Sequence, residues 1–347
     1  MSATSTLAAP AAAEAPVRAT PRRGSGALLA AGRILVVSAF VFLLASMVTF
    51  ALGALSGTNP GAAVLGETAR PEDIARMNHQ FGVDRPVWQQ YLSWLGHALH
   101  GDLGTSWFTT VPVADSIKQA VPVDLSIAAF ALVLAVLIGG GAGIAAALSN
   151  GGPLDRAVTV VCSIVATMPP FVIGMLLIVV FSVKLRLLPS GGYVPLTQDP
   201  AQWLRFAVLP ALALSIEAAG ALARQLRTSL VGALRENYVT GAEMRGLSRR
   251  RVLFGHVLRN ASGPALAVLG LAVPGIIGGA VITEKLFNLP GIAQLSLQAA
   301  QQGDVPVILG ALLVTVVVVL VASTVVNIAQ TALNPLARRP VSGGGRR

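Results

Sequence analysis

Six long apolar stretches constrain this chain more than any other feature of its sequence. A helix needs about 20 consecutive apolar residues to cross the hydrocarbon core of a bilayer. The chain is 54% hydrophobic and only 12% charged, which is too apolar for a soluble domain. We therefore predict an all-α integral membrane protein with six transmembrane helices. The apolar runs lie near residues 34–55, 125–148, 157–183, 206–223, 264–283 and 307–333.

The order of these runs divides the chain into five parts. Residues 1–33 are rich in Ala, Pro, Ser and Thr, which predicts a disordered cytoplasmic tail before a first transmembrane helix at 34–55. That helix is interpreted as an anchor, because the apolar core of a signal peptide is only about 7–15 residues long. We expect an extracytoplasmic loop with short amphipathic helices at 56–124, a membrane domain of five helices at 125–333 and a cytoplasmic tail at 334–347.

The positive charges lie mostly on one side of the predicted spans. If the N-terminus is cytoplasmic, 17 of the 25 Lys and Arg residues lie inside, eight of them between residues 224 and 259. Cytoplasmic loops carry such an excess of positive charge. The predicted outer loop has seven acidic residues and is net negative. We therefore expect a multi-pass protein with both termini in the cytoplasm.

Two short helices are expected in the outer loop, because each begins with proline and ends at glycine. They run from Pro71 to Gly82 and from Pro86 to Gly101. The second has apolar residues at helical spacing and is expected to lie on the membrane surface. Three tryptophans are interpreted as an interfacial belt, with ligand stacking as the alternative: Trp88, Trp94 and Trp107.

Polar and helix-breaking residues inside the spans are candidates for a translocation path. Glu217 is the one acid deep in a span, where an ionisable group costs about 2.5–3.5 kcal/mol. It is therefore expected to face protein or water, either along a substrate path or as a protonated or hydrogen-bonded packing residue. Met168 and Pro169 are the other candidates, because proline removes a helical hydrogen bond and kinks the third span.

The arginine-rich loop at 224–259 has the pattern of a helix, a stop and a second helix. Asn237 is predicted to cap a short helix that ends at Gly246, and Ser248 is predicted to cap the next helix. The loop carries eight Arg and two Glu, so its net charge is +6. A compact cytoplasmic projection is expected.

The first short helix of this loop has features of a docking surface. Gly241 and Ala242 are expected to form a low surface beside Tyr238 and Arg245, which another protein can approach closely. The alternative is a positive loop that faces lipid headgroups.

The same helix resembles the short cytoplasmic motif of ABC importer permeases, Glu-Ala-Ala followed by three residues and Gly. Thr240-Gly241-Ala242 and Gly246 match its spacing. The chain resembles the dipeptide/oligopeptide permease family, as an oligopeptide permease B-like subunit, through further motifs in family order. These are Phe81-Gly82-Val83-Asp84-Arg85-Pro86, Gly101-Asp102-Leu103-Gly104, Leu188-Pro189-Ser190-Gly191, Leu209-Pro210-Ala211-Leu212, Glu236-Asn237-Tyr238-Val239, Arg245-Gly246-Leu247-Ser248, Glu284-Lys285-Leu286-Phe287-Asn288-Leu289-Pro290-Gly291 and Asn334-Pro335-Leu336.

The resemblance implies a type I ABC importer permease fold in a bacterial plasma (inner) membrane. Its implied partners are a second homologous permease, two cytoplasmic ABC ATPase subunits, an extracytoplasmic substrate-binding protein and membrane lipid. The implied cargo is a di- or oligopeptide, with nickel, glutathione or a glycoside as alternatives. The residues implied to couple the permease to the ATPase are Glu236, Tyr238, Thr240, Gly241, Ala242, Arg245 and Gly246.

The sequence lacks recognisable motifs for binding ATP, a metal ion or nucleic acid. None of the three lysines stands in the G-x-x-x-x-G-K-[ST] loop that cradles ATP phosphates. The four histidines lack metal-ligand spacing, and the arginines flank apolar runs rather than a nucleic-acid surface. We therefore expect a permease rather than an enzyme, with no catalytic residue, cofactor, metal or nucleic-acid partner. An ion-coupled secondary transporter and a non-transporting scaffold are the rival classes.

Overall fold

A computed structural model of the chain describes residues 25–55, 59–66, 68–278 and 280–333. These residues form α-helices joined by short connections, and two π-helical segments continue α7 and α10. In chain order the helices are α1 (Ser25–Leu55), α2 (Pro60–Leu65), α3 (Pro71–Phe81), α4 (Val87–Leu99), α5 (Val113–Ser149), α6 (Pro153–Thr167), α7 (Pro170–Leu177), α8 (Pro200–Leu234), α9 (Asn237–Met244), α10 (Arg249–Val252), α11 (Leu258–Gly278), α12 (Ala280–Phe287), α13 (Ile292–Gln302) and α14 (Val305–Leu333).

The helices of the described residues are long and apolar enough for a polytopic membrane protein. Five helical stretches are each long and apolar enough to cross a bilayer. The pair formed by α6 and the continued α7 meets the same criteria when its two members are taken together. The two members of this pair are bent by 108°, so counting them as one span gives the predicted six. The all-α membrane fold is therefore confirmed.

The sharp bend falls where the sequence predicts a kink. Met168 is extended, with φ −92° and ψ 127°, because a residue that precedes proline is pushed out of the helical region. Pro169 is also outside both helices, and Pro170 begins α7, where no backbone N–H is needed for a helical hydrogen bond. The local sequence therefore explains the break.

Close packing of α5 against α8 forms the centre of the bundle, and this is the most extensive contact between described helices. The buried positions of α5 recur at every fourth residue and include Ala135, Gly139 and Gly143. A Cβ atom at Gly139 would collide with the backbone of Ala219 on α8. Helices inside a bilayer associate through such close backbone contacts, so small residues are required here.

Helix boundaries differ from the apolar runs that predicted them. α1 begins at Ser25, within the predicted N-terminal tail, and α5 begins at Val113, within the predicted outer loop. An apolar run shows only the part of a helix that lipid covers. The helix itself extends into polar surroundings as long as its backbone hydrogen bonds continue. The rest of the predicted N-terminal tail and the predicted C-terminal tail lie outside the described residues. The packing of α2 to α14 lies within one compact unit, which begins at Phe42 within α1.

The two short outer helices form as predicted. α3 is followed by Gly82 and α4 is followed by His100 and Gly101. Both glycines have positive φ, 70° and 87°, a conformation that other residues adopt at a cost. The chain therefore turns at each of these two glycines, first after α3 and then after α4, before it continues into α5.

Aromatic residues attach the outer segment to the membrane helices. Tyr91 and Trp94 of α4, together with Trp107, pack against a buried cluster that includes Phe50 of α1. Tertiary packing partly covers the rings of Trp94 and Trp107, so these two residues also have a structural role that the expected interfacial belt did not include. Trp88 is 62% exposed and can still reach a membrane interface.

A buried carboxyl group makes a second attachment of the outer segment. Asp304, directly before α14, accepts hydrogen bonds from Ser106 Oγ at 2.5 Å and from the backbone N–H of Trp107 at 3.3 Å. Burial raises the pKa of the Asp304 carboxyl, and these donors act in the opposite direction. The contact joins residues far apart in sequence and fixes the outer segment to the last span.

Candidate functional site

The predicted docking helix is present as α9, between α8 and α10. Its N-cap is Glu236 rather than Asn237, which is already the first helical residue. The helix stops at Gly246, whose φ is +77°, and the N–H of Leu247 returns to the carbonyl of Ala242. Ser248 occupies the N-cap position of α10, as predicted, without a side-chain capping bond.

One side of α9 is packed into the protein. Val239 and Ala242 are buried in the same apolar cluster as Leu230 of α8 and Val252 of α10. Ala242 is only 2% exposed, so it does not form the low outer surface expected from the sequence. Its role is to anchor α9 on the end of α8.

The opposite side of α9 is open. Tyr238, Thr240 and Arg245 are exposed, and Gly241 is half-buried beside them. The Arg245 side chain lies along the helix, because its Nε donates to the carbonyl of Gly241 at 3.0 Å. The exposed helix surface defined by Tyr238, Thr240, Gly241, Met244 and Arg245 is called the α9 face below.

Met244 was missed as a candidate from sequence reasoning. Its side chain is 86% exposed, the largest exposed fraction among the described large hydrophobic residues. The signal was available: Val239 and Ala242 are three residues apart and mark the buried side, which places Met244 on the opposite side of the helix. A flexible, polarizable thioether suits a contact surface that must adapt to a partner.

A cavity of about 300 Å³ surrounds Glu217 between α7, α8 and α11. Glu217 itself is exposed, so the acid opens into space outside the bundle and not into the packed core. Pro170 lines this cavity, whereas the candidates Met168 and Pro169 are not among its lining residues. The other lining residues are apolar or small, which leaves Glu217 as the ionisable group of the cavity.

One continuous helix joins the two candidate sites. α8 runs from Pro200 to Leu234, with Glu217 near its middle and α9 directly after its end. The distance along the helix from Glu217 to Leu234 is about 26 Å at 1.5 Å per residue. A single helix therefore spans the distance between the Glu217 cavity and the start of the segment that leads into α9.

The chain also matches known families. The model described as binding-protein-dependent transport system inner membrane component covers residues 139–339, which is more than half of the chain. The chain belongs to this family. The companion N-terminal model of such membrane components matches residues 31–128. The resemblance found in the sequence is thus confirmed, although its Asn334-Pro335-Leu336 motif lies outside the described residues.

Curated relatives of this permease are transport permeases. The probable peptide ABC transporter permease protein y4tP of Sinorhizobium fredii is 33% identical, over 88% of this chain and 98% of its own length. The dipeptide transport system permease protein DppB of Escherichia coli is 30% identical, over 88% of this chain and 96% of its own length.

The fold is similar to that of a solved ABC importer. The permease matches a chain of the inward-facing MetNI methionine ABC transporter with a TM-score of 0.52 and 15% sequence identity. The match covers 62% of this permease and 95% of that chain. At this identity the likeness concerns the fold alone, and it agrees with the type I ABC importer permease fold.

Proposed function

We propose that this permease forms half of the membrane pathway of an ATP-driven importer for di- or oligopeptides. It pairs with a second homologous permease, two cytoplasmic ATPase subunits and an extracytoplasmic binding protein. The family match supports the importer class, and the names of the relatives favour peptides over nickel, glutathione or a glycoside.

The observation that carries the coupling proposal is the two-sided environment of α9. Val239 and Ala242 anchor the helix in the core, while the α9 face presents an aromatic ring, a thioether and a guanidinium. Aromatic, Met and Arg side chains are enriched at protein interfaces. The α9 face therefore has the composition of a docking surface, and the ATPase is its proposed partner.

The orientation follows from charge. The segment that contains α9 carries a net charge of +6, and cytoplasmic loops carry an excess of Lys and Arg. This charge supports a cytoplasmic position for α9 and the ATPase, and both chain termini lie on the same side in the proposed topology. The outer segment that holds α3 and α4 then faces the binding protein.

In the proposed transport cycle, movement of α9 is passed through α8 to the cavity at Glu217. When the ATPase subunits close, they displace α9, and its buried anchor transmits the motion to α8. The second permease covers the open side of the Glu217 cavity, so that the acid faces a path between the two permeases and not lipid. Glu217 and Pro170 line that path, and the break at Met168 and Pro169 lets α7 change its angle.

Purification and vesicle transport test this proposal. The permease is expressed in its native host, and co-purification of a Walker-motif ATPase is measured. Uptake of a labelled dipeptide into proteoliposomes should then require ATP and the binding protein. A scaffold would not transport, and a secondary transporter would follow a proton or sodium gradient without responding to ATP. Either result would contradict the proposal.

A further inference from the structure

Two acidic residues from different helices meet at the first turn of α13. Asp124 of α5 accepts a hydrogen bond from the N–H of Ile292 at 2.9 Å, and Glu284 of α12 accepts one from the N–H of Gln294 at 2.8 Å. These bonds satisfy amides that have no partner within the helix. A Cβ atom at Gly291 would collide with both carboxyl groups, which explains why glycine stands there.

Capping leaves one acidic oxygen without a partner. Glu284 is only 2% exposed, and its Oε1 atom has no hydrogen-bond partner. Burial and the nearby Asp124 carboxyl both disfavour a negative charge on Glu284. In the described part of the chain, no Lys, Arg or His forms an ion pair with either acid. A buried charge without compensation is costly, so the pair is neutralised either by a shared proton or by a positive group from elsewhere.

The pair lies at the wall of a cavity large enough for such a group. Asp124 and Glu284 both line a space of about 390 Å³, whose lining is otherwise mostly apolar. Three residues that carry hydroxyl groups also belong to the lining: Thr49, Ser296 and Thr315. A cavity of this kind suits a ligand that has an apolar body and one cationic end.

The groups available to hold a positive charge favour one kind of cation over another. A metal site needs several strong ligands, and the described residues contain no group of three or more His, Cys, Asp or Glu side chains that could hold a metal ion. A primary ammonium group instead has three N–H donors, which suit two carboxyl groups that lie close together. The ammonium is therefore the better fit.

We propose that Asp124 and Glu284 bind the protonated amino group of a transported peptide, whose apolar part occupies the adjoining cavity. This inference rests on the proposed peptide import and adds a subsite to it. The capping bonds from Ile292 and Gln294 hold both carboxyl groups in place, so their positions are fixed independently of a ligand.

The assembled transporter in lipid nanodiscs, without its binding protein, provides the test. Calorimetry measures binding of leucyl-leucine and of N-acetyl-leucyl-leucine, which lacks the cationic amine. We expect the free amine to bind at least tenfold more tightly, and Glu284→Gln and Asp124→Asn each to remove that preference. The matched control is Asp115→Asn, an exposed acid on the same helix as Asp124, which should retain the preference.

Three outcomes would overturn the inference. Equal binding of both peptides by the unaltered protein would mean that the acids share a proton and serve only as caps. A preference that persists in both variants would place the amine elsewhere. Equal weakening of both peptides by the variants would indicate a structural role. ATP-driven uptake on the same preparation separates the proposals, because absent uptake contradicts peptide import itself, whereas uptake without amine discrimination contradicts only this site.

Discussion

The guanidinium group of Arg227 on α8 binds the carboxylate of Asp155 on α6 through two hydrogen bonds. Nε lies 3.0 Å from Oδ1, and a terminal nitrogen lies 2.7 Å from Oδ2. Oδ2 also accepts a hydrogen bond from the N–H of Gly151 at 2.8 Å. This two-point contact fixes α6 to the part of α8 that leads into α9.

The first prediction concerns this contact. Asp155→Asn removes the charge and one of the two acceptors that the guanidinium uses, so the melting temperature of the purified permease should fall clearly. Asp115→Asn is the control, because the Asp115–Lys118 pair is exposed and such pairs contribute about 0–1 kcal/mol. Thermal unfolding in detergent measures both variants. Equal melting temperatures for the two would show that the α6–α8 contact is not needed for stability.

The second prediction concerns the close approach of α5 and α8. Gly139→Ala adds a methyl group against the backbone of Ala219, whereas Gly140→Ala points into open space. Overpacking of this kind typically costs about 1–3 kcal/mol. We expect Gly139→Ala to lower the melting temperature and Gly140→Ala to leave it unchanged or raise it slightly. If the two neighbours behave alike, the helices do not pack as described.

The third prediction distinguishes the effect of the positive φ at Gly246 from the effect of adding a side chain in open space. Nothing lies within 4 Å of a Cβ atom at either Gly246 or Gly255, but only Gly246 has a positive φ. Gly246→Val should therefore strain the stop by roughly 1–2 kcal/mol and displace α9, while Gly255→Val should not. ATP hydrolysis and peptide uptake are measured together in proteoliposomes. Gly246→Val should lower the uptake per ATP hydrolysed; an unchanged ratio would argue against a coupling role for this stop.

The fourth prediction concerns the membrane cavity. A hydrogen bond to a charged group contributes about 1.5–3 kcal/mol, and 1.4 kcal/mol corresponds to a tenfold change. If Glu217 contacts cargo as a carboxylate, Glu217→Gln should lower uptake about tenfold while the amount of protein in the membrane stays constant. Glu217→Asp, which keeps a carboxylate at this position, is the matched control and should retain more uptake than Glu217→Gln. Normal uptake by Glu217→Gln would leave only a packing role.

Much of the fold follows directly from local chemistry. Apolar runs of membrane length predict the number of spans, because no other environment stabilises so much exposed apolar surface. Proline explains the break at Met168 and Pro169, and glycine explains the stops at Gly82 and Gly246, because each constraint acts on the backbone within a few residues. These features do not depend on distant parts of the chain.

The remaining features depend on tertiary contacts. Ala242 is small enough for an exposed docking surface or for a close buried contact, and only the position of Leu230 on α8 decides between them. The carboxyl groups of Asp124 and Glu284 are 160 residues apart in sequence, so their meeting at α13 follows from the packing of α5 against α12 and α13. The sequence around Trp94 similarly gives no sign of its packing role, which depends on its cluster partners.

Site-directed cross-linking tests the docking of α9 on the ATPase most directly. The chain has a single cysteine, Cys162, which is buried and can be replaced by serine. In that background, Met244→Cys places a thiol on the α9 face, and Leu99→Cys places one at the end of α4, where the side chain is 80% exposed. Each variant is assembled with ATPase that carries surface cysteines and treated with a short bifunctional reagent. We expect the Met244→Cys permease to cross-link to the ATPase and the Leu99→Cys permease not to. Absence of a link from Met244→Cys in an active transporter, or equal linking from Leu99→Cys, would contradict the account.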